Sequence, residues 1–207
     1  MRLVGIKAAP GTGAGQCWQQ TRIFCASQGT LREKISPLAV EKAKKAVETL
    51  NRLLEMDYFF GAREQGFKKS LETLRETITG LRSGAEPAFR KYTKDDVFDI
   101  VVQNRAFSLD LRVEDGKPVL CPELGAVLNT ALYMMNERQG GKLGLMLCKT
   151  ADGSHQLATI SGSGIKCLGK ETPGAIESAL ELMGCSIKYN GTSMTIWVPL
   201  ARDGAEN

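Results

Sequence analysis

Apolar residues in the first third of the chain recur with helical spacing. Ala39, Ala43, Ala46, Val47, Leu50, Leu53 and Leu54 fall on one side of a 3.6-residue period, and Glu41, Lys42, Lys44, Lys45, Glu48 and Arg52 on the other. This is the pattern of an amphipathic helix, expected over residues 31–59. Ser36-Pro37 is a start or kink signal, because proline is well tolerated in a first helical turn. Gly61 and Gly66 bracket a turn region. Phe67, Leu71, Leu74, Ile78 and Leu81 then step by 4, 3, 4 and 3 residues. Such an a/d seam predicts a second helix, stopped at Ser83-Gly84 with Pro87 just beyond. Two such helices make an antiparallel hairpin with too little core of its own. The expected cover for the seam is a second copy of the chain, so that two hairpins form a dimeric four-helix bundle. Closure of the seam within one chain is the alternative.

From Thr93 the pattern changes. Asp95 to Gln103 reads as a short helical or strand-like segment. Phe107 to Val113 (FSLDLRV) alternates apolar and polar residues, as a half-buried strand does, and a turn at Glu114-Asp115-Gly116 leads to a short strand, Lys117 to Leu120. Pro122 to Glu137 is helical, rich in apolar positions including Leu124, Val127, Leu128, Leu132 and Met135, and ends at Gly140-Gly141. Lys142 to Thr150 and His155 to Ser161 pair across Ala151-Asp152-Gly153. Gly162-Ser163-Gly164 breaks the second strand. A helix from Pro173 to Met183, capped by Gly184, precedes a hairpin of Cys185 to Tyr189 and Ser193 to Val198 across Asn190-Gly191, a strong two-residue turn signal. The expected class is α+β: a helical hairpin over residues 31–86 followed by a small α/β sandwich over residues 93–200. Residues 1–30 read as a leader of unclear structure and 201–207 as a flexible tail.

Composition adds limits rather than a function. Hydrophobic residues are 43% and charged residues 24% of 207, which fits a globular chain and not a disordered one. A net charge of +4 neither demands nor excludes an anionic partner, and nucleic-acid binding is not expected from it. No apolar run reaches the length of a membrane span, and the start, MRLVGIKAAP, lacks the apolar stretch of a secretion signal. The six cysteines, at positions 17, 25, 121, 148, 167 and 185, have no C-x-x-C spacing, and His155 is the single histidine. No metal or other cofactor is expected from them; free thiols suit a reducing cytosol, hence a cytoplasmic protein. Ala9 to Gln16 (APGTGAGQ) has the glycines of a phosphate-binding loop, but Gly15 and Gln16 stand where such a loop carries Lys-Ser/Thr. A flexible leader is the better reading.

The order helix–helix, strand–strand–helix–strand–strand–helix–strand–strand resembles the core of sensor histidine kinases. That core is a dimerising hairpin followed by an ATPase domain of the gyrase, Hsp90, kinase and MutL type. REKISPLAVE (Arg32 to Glu41) is similar to the family's phospho-acceptor pattern, H-E-x-x-T/S-P-L. FSLDLRV, KPVL and the helix ending ALYMMNE resemble the opening of the ATPase domain. GGKLGLMLCKTADGSHQLATISGSGI resembles the strand pair leading to its D-x-G-x-G motif, and AIESALELMGCSIKYNGTSMTIWVPL its closing helix and hairpin. The layout is nearest to the small dimeric histidine phosphotransferases, whose ATP sites are degenerate.

The resemblance implies a degenerate site here. Aligned on Ser36-Pro37, the acceptor position holds Arg32, whose guanidinium stays protonated and is no phosphoryl nucleophile; Glu33 is retained beside it. The position of the family's Mg²⁺-binding Asn falls near Met134, although the same helix carries Asn129 and Asn136. The adenine-binding Asp is replaced within Ser161 to Gly164, and the second glycine-rich motif with its lid is absent from Lys166 to Gly174. No catalytic residue is therefore expected, and His155 falls on a strand far from the hairpin. The family docks receiver domains on the upper hairpin, which here is Arg32, Glu33, Lys34, Ile35, Leu38 and Lys42, a cationic and apolar mix suited to an acidic pocket. A solvated helix face is the plain alternative. Three functions stay open: a non-catalytic phosphotransferase-like homodimer that binds a response-regulator receiver domain or a histidine kinase; an active phosphotransferase or ATP-binding regulator; and a dimeric nucleic-acid binder using Lys42, Lys44, Lys45, Lys68 and Lys69.

Overall fold

The computed structural model describes residues 35–56, 64–101, 108–114, 116–136, 142–162, 171–190 and 192–200. The leader, Arg32, Glu33 and Lys34, the tail, and the glycine-rich stretches 140–141 and 163–164 lie outside them. Two helices come first, α1 (Pro37–Glu55) and α2 (Gln65–Arg82). α1 begins where proline and a cap coincide. Ser36 is extended at φ −68° and ψ 145°, and its Oγ accepts from the Ala39 N–H at 3.1 Å. The helix expected from residue 31 therefore starts at Pro37: Ser36-Pro37 is a start and not a kink.

The rest of the chain runs β1 (Arg90–Lys91), α3 (Lys94–Val101), β2 (Leu109–Val113), β3 (Val119–Leu120), α4 (Pro122–Met135), β4 (Leu143–Lys149), β5 (His155–Ser161), α5 (Thr172–Leu182), β6 (Ser186–Asn190) and β7 (Ser193–Pro199). The class is α+β with a mixed sheet. The segment from Asp95 is helical, not a strand; Thr93 and Asp96 cap it reciprocally, with Thr93 Oγ1 donating to Asp96 Oδ2 at 2.6 Å and Asp96 N–H donating to Thr93 Oγ1 at 3.2 Å.

β2 and β3 are consecutive but do not pair. β2 runs parallel to β4, the sheet order being β2-β4-β5-β7-β6 with the other pairs antiparallel, and β3 pairs with β1. A parallel pair needs a long crossover, which α4 supplies. β3 is held beside the sheet by the buried side chain of Gln156, which accepts from Val119 N–H at 2.6 Å and donates to Val119 C=O at 2.8 Å.

One face of the sheet is buried. Leu143, Leu145, Leu147, Ala158, Ile160, Met194, Ile196 and Val198 point into the core. The intervening Met146, Cys148, Leu157, Thr159, Thr195 and Trp197 make a half-exposed opposite face, the alternation expected of a one-sided sheet. α4 and α5 lie on the core face, and the hairpin lies on them: α1 packs on α2 and α5, α2 on α4 and α5.

That stacking decides the fate of the α2 seam. Phe67, Leu71, Leu74, Ile78 and Leu81 are 0–3% exposed in the single chain. The stripe expected to be covered by a second copy is closed by α1, α4 and α5 instead. The physical reason is that α4 and α5 are apolar on more than their sheet-facing sides, and α2 buries what the sheet leaves open.

Candidate functional site

α4 is the element on which the resemblance placed nucleotide chemistry, and it is enclosed. Every residue from Leu124 to Met135 is buried. Pro122 occupies the first turn, and Cys121 Sγ caps it by accepting from Leu124 N–H at 3.3 Å. The sheet lies under one side. α2 lies over the other: Thr130 Oγ1 donates to the Ser70 carbonyl at 3.1 Å, and the Phe67 and Tyr133 rings meet at a centroid distance of 6.2 Å. Gly66 admits this approach, since a methyl group there would stand 2.5 Å from the Tyr133 hydroxyl.

Met134, near the position of the family's metal-binding Asn, is 0% exposed. A thioether in an apolar setting offers Mg²⁺ none of the oxygen ligands it requires. Asn129 is buried with its carbonyl oxygen unpartnered among the described residues, as is the carbonyl oxygen of Asn136. Gly162, at the end of β5, packs against the C-terminal end of α4: an added methyl would collide with the Met135 carbonyl and stand 2.9 Å from Met135 Cβ. The first glycine of the Gly162-Ser163-Gly164 break is thus a packing glycine, its N–H bonded to Thr192 C=O at 3.0 Å.

Of the six residues placed on the docking surface, Arg32, Glu33 and Lys34 lie outside the described residues. Ile35 is half-buried and packed against the core. Lys42 is paired with Glu181 of α5 at 3.0 Å, which ties the hairpin to the domain. Leu38 is 56% exposed, and Val40 beside it 38%. Burial, with the nearby Glu181 carboxylate, raises Glu177 above the usual carboxylate range, against the pull of Lys42. The lysines proposed for a nucleic-acid face are not grouped alone: exposed Lys44 and Lys45 alternate with exposed Glu41 and Glu48.

His155 is the first residue of β5, next to the β4–β5 turn. Asp152 accepts from the Thr150 hydroxyl at 2.6 Å, from the Ser154 hydroxyl at 2.8 Å and from the Ser154 N–H at 3.1 Å. These bonds hold its carboxyl down to about 2. The Ser154 proton goes to Asp152, which leaves Oγ to accept from His155 Nδ1–H at 2.7 Å. This is a closed turn network remote from the hairpin. Cys121 and Cys185 are buried, and burial pushes the Cys121 thiol up to about 12. Among the described residues no group of three His, Cys, Asp or Glu is arranged to hold a metal, and no helix is long and apolar enough to cross a membrane.

No protein-family profile matches the sequence, and no curated protein matches it. Among solved structures the chain is similar to the histidine kinase AdeS of Acinetobacter baumannii, with TM-score 0.47, 12% identity, and 77% of this chain and 97% of that chain covered. It is similar to a bacterial phosphotransferase with TM-score 0.34, 14% identity, and 84% and 98% covered. The histidine kinase ThkA, in complex with the response regulator TrrA, gives TM-score 0.41, 12% identity, and 84% and 65% covered.

Proposed function

We propose that this protein is a non-catalytic, histidine-phosphotransferase-like signalling protein that works by binding a response-regulator receiver domain. The observation that carries the reading is the enclosure of α4: the helix that the resemblance assigns to nucleotide chemistry is sealed by α2 on one side and the sheet on the other. Burial of Leu124 to Met135, with the thioether of Met134 in place of an oxygen ligand for Mg²⁺, supports a helix that does not hold a nucleotide. Arg32 at the acceptor position supports the same conclusion, since it cannot take a phosphoryl group. What survives is a surface: Leu38 and Val40 exposed at the start of α1, beside a cationic stretch. Exposed apolar side chains next in sequence to Arg32 and Lys34 suit an acidic pocket with an apolar rim.

Pairing of two copies stays part of this reading, with Leu38 and Val40 of α1 as its exposed apolar residues. This pairing does not use the α2 seam.

The test is calorimetric titration of the full chain with a purified receiver domain and, separately, with Mg-ATP. Binding of the receiver that Leu38→Asp abolishes, with the melting temperature kept, is the expected result. Saturable Mg-ATP binding, or acid-labile label transferred from a phosphorylated receiver, would overturn the non-catalytic assignment.

A further inference from the structure

The sheet gives one face to the core. α4 and α5 lie on that side, and α1 and α2 lie beyond them. On the opposite face Cys148, Leu157 and Trp197 are direct neighbours on β4, β5 and β7, and Met146 stands one pleat away on β4, level with Thr159. All of them are half-exposed in the single chain. An apolar centre on a sheet with polar edges is the mark of a surface that meets a partner.

The pattern of this face is complementary to itself. β5 is the middle strand of the order β2-β4-β5-β7-β6. Set two such sheets face to face with a two-fold axis along β5, and each β6 lies over β2 of the other copy and each β7 over β4 of the other copy. Leu157 then meets Leu157 at the axis, and Trp197 of each copy meets Cys148 and Met146 of the other. The edges carry opposite charges. Lys188 on β6 and Glu114 at the end of β2 have no ion-pair partner among the described residues, whereas Arg112 of β2 is held by Asp110 at 2.9 Å. Lys188 is level with Arg112 across the sheet. Packed sheets cross at about 30°, which moves an edge strand about 10 Å from the axis by about 5 Å along its length. Asp110 and Glu114 stand on either side of Arg112 along β2, so a shift in either direction brings Lys188 to a carboxylate. The face measures roughly 24 by 20 Å, so two copies cover about 1,000 Å² between them, the lower end of specific interfaces.

We infer that this face is a reversible contact between two copies of the chain, packed sheet on sheet about a two-fold axis along β5. It is separate from the pairing proposed through Leu38 and Val40, because α1 lies on the other side of the α4 and α5 layer.

Sedimentation velocity of the full chain carrying Leu38→Asp, which removes the α1 contact, tests it. An equilibrium between one and two copies is expected, with a dissociation constant of about 10 μM to 1 mM for a contact of this area. In a Trp18→Phe background the emission of Trp197 should move to the red on dilution through the same range. Lys188→Glu and Glu114→Lys should each weaken association about fivefold, since the two-fold axis repeats every pair, and the double variant should recover most of the loss. Both positions are exposed, so these variants keep the fold. Leu157→Lys, verified as folded by its melting curve, should leave single copies only. Single copies at every concentration up to about 1 mM, or association that neither Leu157→Lys nor Lys188→Glu weakens, overturns the inference. Trp197 emission that ignores concentration but moves to the red when residues 1–30 are removed also overturns it, by making the leader the occupant.

Discussion

Truncating Leu74 tests whether the hairpin belongs to the same cooperative unit as the sheet. Leu74 lies in the middle of the α2 seam and is 0% exposed. α2 packs on α1, α4 and α5 within one chain. Leu74→Ala removes three buried carbons, a transfer loss of about 2.4 kcal/mol at about 0.8 kcal/mol for each carbon. The cavity left among close-packed helices adds to that, so a total of about 3 to 4 kcal/mol is expected. For a chain of this size each kcal/mol lowers the melting temperature by about 2–4 °C, giving a fall of roughly 6–16 °C. Two probes follow the melt: helix circular dichroism at 222 nm, and fluorescence of Trp197 on β7 in a Trp18→Phe background. Both should shift together and by the same amount. Light scattering below the transition should give the same particle mass for variant and parent. Early loss of helix with Trp197 unchanged would refute the joint unit. A halved mass would refute closure within the chain, because it would place Leu74 between copies.

Three further outcomes follow from the same packing. Gly162→Ala should cost about 1–3 kcal/mol, since the new methyl meets the end of α4 at Met135; a neutral result in chemical denaturation would mean that β5 can move away. Lys42→Ala should change stability by less than about 1 kcal/mol, because its pair with Glu181 is half exposed; a larger loss by denaturation would reveal a stronger latch between hairpin and domain. Cys121 is held protonated up to about 12 against an ordinary 9.0. The unfolded thiol therefore ionises first, and the stability tied to this group is present below about pH 9 and lost as pH rises toward 12. The parent should thus lose stability relative to Cys121→Ser between those limits, and a pH-independent difference in denaturation midpoint would rule the mechanism out.

Local patterns determined much of this protein. The 3.6-residue period placed α1 and α2, Ser36-Pro37 marked a helix start, and the turn signals Ala151-Asp152-Gly153 and Asn190-Gly191 placed β4, β5 and β7 within a residue or two. Periodicity also named the seam residues, because only a shielded stripe keeps Phe67, Leu71, Leu74, Ile78 and Leu81 apolar at those steps. It did not name what shields them. An a/d stripe reads the same whether the facing helix comes from the same chain or another, and only the stacking of α2 on α4 and α5 decided that. Pairing was equally hidden. β2 and β3 follow each other across a turn signal, yet β2 joins β4 and β3 joins β1, since strand partners depend on where the crossover helix sets the chain down. The same holds for the site. Met134 could be placed by resemblance from the sequence, but the burial of Leu124 to Met135 in α4 arises from elements far apart in the chain. Spacing along a chain records which face of an element is apolar; what meets that face is set by long-range contacts that no local window contains.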